Sequence, residues 1–176
     1  MEHEHVVSTK YAFDGRAVKL RIDTVKTPSG RQSTREVVEH ADCIVAVPID
    51  EYGNILLVRQ FRHSIGKTLL ELPAGGIDGD ETPEEATRRE LQEEIGFRPG
   101  KLEKLGGFYS APGFCTEYLH LFVASELSPS RLIASDTKEI EVVKTKVSQI
   151  PELIASGQIC DAKSVAGLLR YLREKR

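Results

Sequence analysis

Residues 75–97, GGIDGDETPEEATRRELQEEIGF, are the part of the chain that decides the fold. A glycine-rich loop leads into an acidic segment that carries its own helix signals. Thr82 is a good N-cap, Pro83 suits the first helical turn, and Glu85 completes a capping box. Gly96 is typical of a residue that ends a helix, because glycine adopts the left-handed conformation without strain. The pattern therefore predicts a helix of about thirteen residues that begins just after Thr82.

Three glutamates, Glu90, Glu93 and Glu94, lie near the far end of this helix. Residues three and four apart share one face of a helix, so these carboxylates project together. Leu91 and Ile95 lie on another face and would anchor the helix to a core. Three like charges in a small arc repel one another, and a hard divalent cation with oxygen ligands would relieve that repulsion. The alternative is a solvated acidic face, which is what most charge runs on helices are.

The spacing of residues around this helix resembles the signature of the Nudix hydrolases. Gly75 is followed after five residues by Glu81, and after seven more by RELQEEIGF at residues 89–97. No position of the signature departs from the pattern. The resemblance implies a mixed α/β (α+β) fold, the Nudix-type α/β/α sandwich, in which a mixed sheet lies between helices.

The same resemblance implies a metal site. Glu90, Glu94 and the carbonyl oxygen of Ala74 are expected to hold the ion, with Glu93 as a further ligand or proton acceptor. The expected ion is Mg2+, with Mn2+ as an alternative, since Mg2+ typically takes one or two carboxylates together with substrate phosphates.

The remaining signature residues have structural roles by the same resemblance. Arg89 and Glu81 are expected to form an ion pair that fixes the loop to the helix and thereby orients the metal ligands. Gly75 belongs to the loop before the helix, and Gly96 belongs to the end of the helix.

The flanking sequence narrows the resemblance to the ADP-ribose pyrophosphatase branch. The stretches that carry it are REVVEH at 35–40, VRQFR at 58–62 and LELPAG at 70–75, together with Pro112, fifteen residues beyond the signature. Pro112 is therefore expected beside the substrate. One departure is Ala111, where this branch often has serine, so the family is better specified than the substrate.

The resemblance also implies a substrate arginine and a general base. Arg62 would contact a substrate phosphate, because the planar guanidinium group can donate two parallel hydrogen bonds to phosphate oxygens. The alternative is that Arg62 is simply a solvated arginine at the end of a strand. The base is expected in the acidic loop 134–139, where Asp136 and Glu139 are both candidates. Glu117, on a neighbouring loop, is a third.

The function that follows is Mg2+-dependent hydrolysis of the diphosphate bond of ADP-ribose or a related nucleoside diphosphate sugar. The products would be AMP, or another nucleoside monophosphate, and a sugar phosphate. Alternatives are another nucleoside diphosphate derivative such as GDP-mannose, an isomerase on the same fold, and a non-catalytic ligand sensor. A non-catalytic sensor would not need the three glutamates. Because the chain has all three, catalysis is favoured over a sensor role.

Composition excludes several other classes. The 176 residues carry 24 Lys and Arg against 27 Asp and Glu, so no basic excess points to nucleic acid. No stretch is long enough to span a membrane, and the first residues lack the apolar run of a signal peptide. Three widely spaced cysteines, Cys43, Cys115 and Cys160, indicate reduced thiols and a cytoplasmic location.

The N-terminal segment, residues 1–40, is expected to be an antiparallel hairpin in front of a Nudix domain at 41–176. Its strands alternate polar and apolar residues around a turn at residues 28–30, but they carry too little apolar surface to form a core. We expect the hairpin to form a homodimer, in which Arg35 and Glu36 reach the substrate of the partner. The alternative is that it covers its own domain.

The rest of the chain predicts strands and two further helices. A short helix is expected at 151–155, and Asp161 would cap a terminal helix with an apolar face. The expected strands are 43–47, 55–61, 68–72, 105–109, 118–124 and 140–147.

Overall fold

The computed structural model describes residues 3–134 and 139–175 and divides the chain into two compact units. The N-terminal unit consists of Met1–Asp42 and Tyr109–Tyr118, so it takes in one segment from the middle of the sequence. The large unit consists of Cys43–Phe108 and Leu119–Arg176.

The N-terminal unit contains a three-stranded antiparallel sheet in the order β1-β2-β3. The expected hairpin is confirmed as the pair β2 and β3, which joins through a turn where the Gly30 amide donates to the Thr27 carbonyl at 2.8 Å. Gly30 has a φ of +83°, a conformation that favours glycine. Strand β1 is not predicted by the sequence pattern, and all of its residues are exposed. The three strands are β1 (His5–Asp14), β2 (Lys19–Lys26) and β3 (Gln32–Glu39).

The loop that carries Pro112 is hydrogen-bonded to β3 within this unit. The Val38 amide donates to the Phe114 carbonyl at 2.7 Å, and the Thr116 amide donates to the Val38 carbonyl at 3.0 Å. The Thr116 hydroxyl also donates to the His40 carbonyl at 3.0 Å. These bonds fix the loop to the strand that contains Arg35.

The large unit contains two sheets, with strand orders β10-β5-β6 and β7-β4-β9-β8. In the second sheet β4 pairs parallel with β9 and antiparallel with β7, which confirms the expected mixed sheet. The first sheet is antiparallel. The strands are β4 (Cys43–Pro48), β5 (Asn54–Arg62), β6 (Lys67–Glu71), β7 (Ala74–Gly76), β8 (Phe97–Tyr109), β9 (Tyr118–Pro129) and β10 (Glu141–Lys146).

The α-helices of the described chain are α1 (Pro83–Glu94), α2 (Ile150–Ala155) and α3 (Ala162–Glu174), with short 3-10 turns at His63–Ile65 and Val147–Gln149. Asp161 caps α3 as expected, accepting from the Ser164 amide at 3.1 Å. Within the described residues, no helix combines the length and the apolar character needed to cross a membrane.

The core lies on both faces of the sheet that contains β4. All six residues of β4 are buried. Cys43, Val45 and Val47 belong to one apolar cluster, whereas Ile44 and Ala46 belong to two others. Val45 and Val47 face the cluster that includes Leu168 of α3, while Ala46 faces the cluster that includes Leu91 of α1. Helices therefore cover opposite faces of one mixed sheet, and the expected α/β/α sandwich is confirmed.

Helix α1 begins and ends as its sequence predicts. The Thr82 hydroxyl accepts from the Glu85 amide at 3.2 Å, and the Thr82 amide donates to the Glu85 carboxylate at 2.8 Å, which completes the capping box. At the other end Gly96 has a φ of +76°. Strand β8 starts immediately afterwards, at Phe97, so it is longer than predicted. The second unpredicted strand is β7, only three residues long.

Candidate metal centre and active site

The three glutamates of α1 line one polar cavity of about 530 Å³ in the large unit. Glu94 is the most deeply placed, with 6% of its surface exposed, and it accepts a hydrogen bond from the Ala74 amide at 3.1 Å. Glu90 and Glu93 are half-buried beside it. The cavity is also lined by Gln60, Arg62, Ala74, Gly75, Gly76, Asp78, Arg89, Ala134 and Ile140.

Gly75 allows α1 to approach β7 closely. A Cβ atom at position 75 would lie 2.0 Å from the carboxyl carbon of Glu90, a distance at which the two atoms would overlap. At Gly76, by contrast, a Cβ atom would meet no heavy atom within 4 Å. A side chain at position 75 would therefore displace the Glu90 carboxylate from the place it occupies in this cavity.

Arg89 ties the glycine-rich loop to α1. Its Nε and Nη2 atoms donate to the two carboxylate oxygens of Glu81, each at 2.9 Å, and Nη2 also donates to the Gly76 carbonyl at 2.9 Å. Its Nη1 atom donates to Glu90 Oε1 at 2.6 Å and lies 3.6 Å from Glu93 Oε2. These bonds raise the pKa of Arg89, with the hydrogen bond to Glu81 as the largest cause. One side chain thus fixes the loop and orients two of the acids.

The acids nevertheless outnumber the cations around them. Burial, and then the neighbouring charge of Glu90, raise the pKa of Glu94 to about 8. A buried carboxyl group in this state gains from any cation that lets it ionise. The oxygen-rich set of Glu90, Glu93, Glu94 and the backbone of Ala74 suits a hard divalent ion. The donor set therefore fits the metal site that the sequence predicts.

Arg62 lines the same cavity, but part of its guanidinium is already engaged. Its Nε donates to Glu71 Oε1 at 3.0 Å and its Nη2 donates to Glu71 Oε2 at 2.6 Å. Lys163, at the start of α3, contacts the same carboxylate. Sequence reasoning assigned no role to Glu71 or Lys163. An acid between the buried Leu72 and the apolar Leu70 was the signal that could have drawn attention to Glu71.

Gln60 is a further cavity residue that sequence reasoning missed. Its Oε1 atom is buried and has no hydrogen-bond partner within the described residues. It lies two positions before Arg62 on β5, so both side chains are on the same face of the strand.

The candidate bases are only partly located. Glu139 is exposed in a turn, and Asp136 lies outside the described residues. The residues that bracket this loop, Ala134 and Ile140, both line the cavity. Glu117 belongs to the N-terminal unit, where its carboxylate lies 3.6 Å from His40 Nδ1.

The segment that leads into this loop is attached to the end of α1. The Leu132 amide donates to the Gln92 carbonyl at 3.2 Å, and the Gln92 side-chain amide donates to the Ser130 hydroxyl at 2.9 Å. The Ser130 amide also donates to the Gly96 carbonyl at 2.9 Å. Residues 130–132 are therefore anchored beside the end of α1 that carries the glutamates.

The other predicted substrate residues lie in the N-terminal unit. Arg35 and Glu36 are exposed on β3, and Arg35 Nε donates to Glu4 Oε2 at 3.0 Å. Pro112 is exposed in the loop bonded to β3.

Comparisons with known proteins identify the family of the chain. The NUDIX domain model matches residues 39–166. The chain is 33% identical over 174 residues to an ADP-ribose pyrophosphatase of Bacillus subtilis (strain 168), covering 98% of this chain and 94% of the relative. It is 38% identical over 128 residues to a GDP-mannose pyrophosphatase of Escherichia coli O1:K1 / APEC, covering 68% and 66%.

The fold also has a close counterpart among solved structures. A crystal structure of an ADP compounds hydrolase superposes with a TM-score of 0.90 at 21% identity, covering 99% of this chain and 95% of the other. At that identity the likeness concerns the fold, whereas the sequence relatives and the intact signature concern the chemistry. The protein belongs to the Nudix family and is a pyrophosphate hydrolase related to the ADP-ribose pyrophosphatases.

Proposed function

We propose that the protein hydrolyses the diphosphate bond of ADP-ribose, or of a related nucleoside diphosphate sugar, with Mg2+ as its cofactor. The observation that carries the proposal is the cavity in which three glutamates face an arginine. Carboxylates can hold a cation that binds phosphate oxygens, and a guanidinium can bind phosphate directly. The ADP-ribose pyrophosphatase relative, which matches nearly the whole chain, supports the choice of substrate.

Glu90, Glu93, Glu94 and the carbonyl oxygen of Ala74 would hold the ion, with Mn2+ as an alternative to Mg2+. Such an ion would supply charge neutralisation for the phosphates and would make a water molecule easier to deprotonate. Arg89 keeps two of these carboxylates in place through its hydrogen bonds to the loop.

The chain's own residues would handle the substrate and the proton. Arg62 would bind a phosphate oxygen. The attacking water forms a bond to one phosphorus, the bond from that phosphorus to the bridging oxygen breaks, and a carboxylate of loop 134–139 accepts the water's proton. Glu139 and Asp136 are the candidates for this base, because the loop that carries them is bracketed by two cavity residues. Glu93 is the next candidate.

The test is product analysis with Mg2+. ADP-ribose should give AMP and ribose 5-phosphate, and chelation of the metal should stop the reaction. GDP-mannose is the second candidate substrate, supported by the relative named for it. The higher kcat/KM decides between the two. Isomerisation without release of a monophosphate, or binding without turnover, would overturn hydrolysis.

We also propose that the protein acts as a homodimer in the cytoplasm. Strand β1 leaves Val6, Val7, Tyr11 and Phe13 more than half exposed, which is unusual for one edge strand and favours contact with a second copy. Arg35, Glu36 and Pro112 would then contact the substrate bound to the partner. The cytoplasm is proposed because widely spaced single cysteines are typical of reduced proteins.

Complementation between inactive variants tests the shared site. One chain carries Arg35→Ala and Glu36→Ala, and the other carries Glu90→Gln and Glu94→Gln. Mixed dimers should regain one working site, made from the intact hairpin of one chain and the intact metal helix of the other. A monomer in sedimentation at working concentration, or no recovery after verified subunit exchange, would overturn the shared site.

A further inference from the structure

A buried carboxylate connects Arg62 to the C-terminal helix. Glu71, the last residue of β6, has 1% of its surface exposed. Arg62 donates to both of its oxygens, at 3.0 Å from Nε and 2.6 Å from Nη2. Lys163, which is 92 residues further along the chain, also contacts Glu71 Oε2, and its Nζ lies 2.8 Å from Asp161 Oδ2. Two cations therefore share one buried acid.

The N-terminal end of α3 is also fixed in place by two hydrogen bonds that backbone amides donate. The Leu72 amide donates to the Ser164 hydroxyl at 2.7 Å, and the buried Ser164 is itself held by the cap at Asp161. The chain from Leu72 leads directly into Ala74, the expected backbone ligand of the metal. Lys163 thus approaches Glu71 from a helix whose first turn cannot shift without disturbing the strand beside the site.

The charges of Glu71 and Lys163 favour a single orientation of the Arg62 guanidinium. Burial raises the pKa of Glu71, but the hydrogen bond from Arg62 and the charge of Lys163 outweigh it and leave this pKa below its ordinary value. Glu71 is therefore ionised at neutral pH and binds both cations. Without Lys163, a single arginine that is partly open to the cavity would have to neutralise a fully buried carboxylate.

The Nη1 edge of the Arg62 guanidinium is the part that could bind an anion in the cavity. A guanidinium has five N–H donors, and Glu71 engages the donors of Nε and Nη2. The Nη1 group makes no hydrogen bond within the described part of the chain. Arg62 lines the cavity together with the three glutamates, so this edge is available to an anion there.

We propose that Glu71 and Lys163 are positioning residues that hold the Arg62 guanidinium ready for a phosphate of the substrate. The inference rests on the proposed function and adds the last helix to the machinery of the site. A purely stabilising ion network is the competing explanation, but buried ion pairs seldom add net stability relative to apolar packing. Lys163 touches no part of the cavity itself, so its effect on substrate must pass through Arg62.

The experiment is a double-mutant cycle on binding and turnover. The variants are Lys163→Met, Arg62→Ala and the two combined, with Lys163→Arg as the conservative rescue and Lys144→Met as the matched control. Lys144 is an exposed lysine whose nearest acid, Asp50, lies 3.6 Å away. Binding is measured by calorimetry with Mg2+ and an ADP-ribose analogue whose bridging oxygen is replaced by methylene, and turnover is measured with ADP-ribose.

If the network positions Arg62, Lys163→Met weakens analogue binding and raises KM roughly tenfold, because an unfixed guanidinium loses its pre-organised fork. The kcat changes less, Lys163→Arg recovers most of the binding, and Lys144→Met behaves like wild type. The combined variant binds no more weakly than Arg62→Ala alone. Lys163→Gln, which keeps a donor for Glu71, gives the same comparison if Lys163→Met lowers the melting temperature too far.

Two results overturn the inference in distinguishable ways. If wild type binds the analogue and the effects of Lys163→Met and Arg62→Ala are additive, or if Lys163→Met lowers only the melting temperature, the network is structural. The proposed function then stands. If wild type neither binds the analogue nor hydrolyses ADP-ribose or GDP-mannose, the proposed function fails and the inference fails with it.

Discussion

Replacing Glu94 by glutamine should stabilise the metal-free protein while removing its activity. The carboxyl group of Glu94 is buried, and its pKa in the folded protein is raised from the ordinary 4.5 to about 8. Between these values the folded state binds more protons than the unfolded state. The free energy of unfolding must therefore fall as the pH rises through this window, and the loss is complete only above about pH 8.

The size of the effect follows from the same shift. Each pKa unit corresponds to about 1.4 kcal/mol, so a shift from 4.5 to about 8 sets an upper limit of about 5 kcal/mol. Relaxation around a buried charge reduces such limits, and we expect about 2 kcal/mol at pH 8.5. Glutamine keeps an oxygen for the Ala74 amide and cannot ionise, so the variant should lack this pH dependence.

Urea unfolding in the presence of a chelator, at pH 5.5, 7 and 8.5, measures this prediction. Glu84→Gln, an exposed glutamate in the first turn of α1, is the control and should follow wild type within about 0.5 kcal/mol. With Mg2+ restored, wild type should gain stability through ligand binding, whereas Glu94→Gln should gain much less and lose most turnover.

Two results would refute this reasoning. A metal-free wild type whose unfolding free energy does not fall between pH 5.5 and 8.5 would show that Glu94 carries no buried-charge cost. Near wild-type turnover of Glu94→Gln at saturating Mg2+ would remove this residue from the metal site, whatever the stability data give.

Two further predictions concern the base and the approach of the helix. Asp136→Asn and Glu139→Gln, made separately, should show one large loss of kcat with KM largely kept; if neither lowers kcat more than a few-fold, the base lies elsewhere. Gly75→Ala should weaken metal binding roughly tenfold, because its methyl group would force the Glu90 carboxylate out of its position in the cavity. Gly76→Ala is the matched control, and equal effects in calorimetric Mg2+ titrations of both variants would contradict the steric argument.

The local features of α1 were predictable because their signals lie close together in the sequence. The capping box joins residues three apart, and the Glu81–Arg89 pair joins residues eight apart. Such interactions depend on the geometry of one helix and one loop. The same holds for the hairpin of β2 and β3, whose turn residues are adjacent.

The contacts that hold Arg62 from behind the cavity were not predictable in this way. Glu71 and Lys163 are 92 residues apart, and nothing in the spacing or composition of either segment indicates that they meet. Strand β1 was missed for another reason. All of its residues are exposed, and its pairing with β2 shifts register at two places, so no continuous buried face marks it in the sequence.

The fold of the large unit explains how α1 can hold three glutamate side chains close together before any cation is bound. Leu91 and Ile95 are 0% and 2% exposed, and they anchor the acidic end of the helix in the core. Removing one such side chain typically costs about 2–5 kcal/mol, which matches or exceeds the expected cost of burying Glu94. The core therefore holds the carboxylates together against their repulsion. Because that repulsion is already present in the folded protein, a divalent cation gains from relieving it without having to gather its ligands.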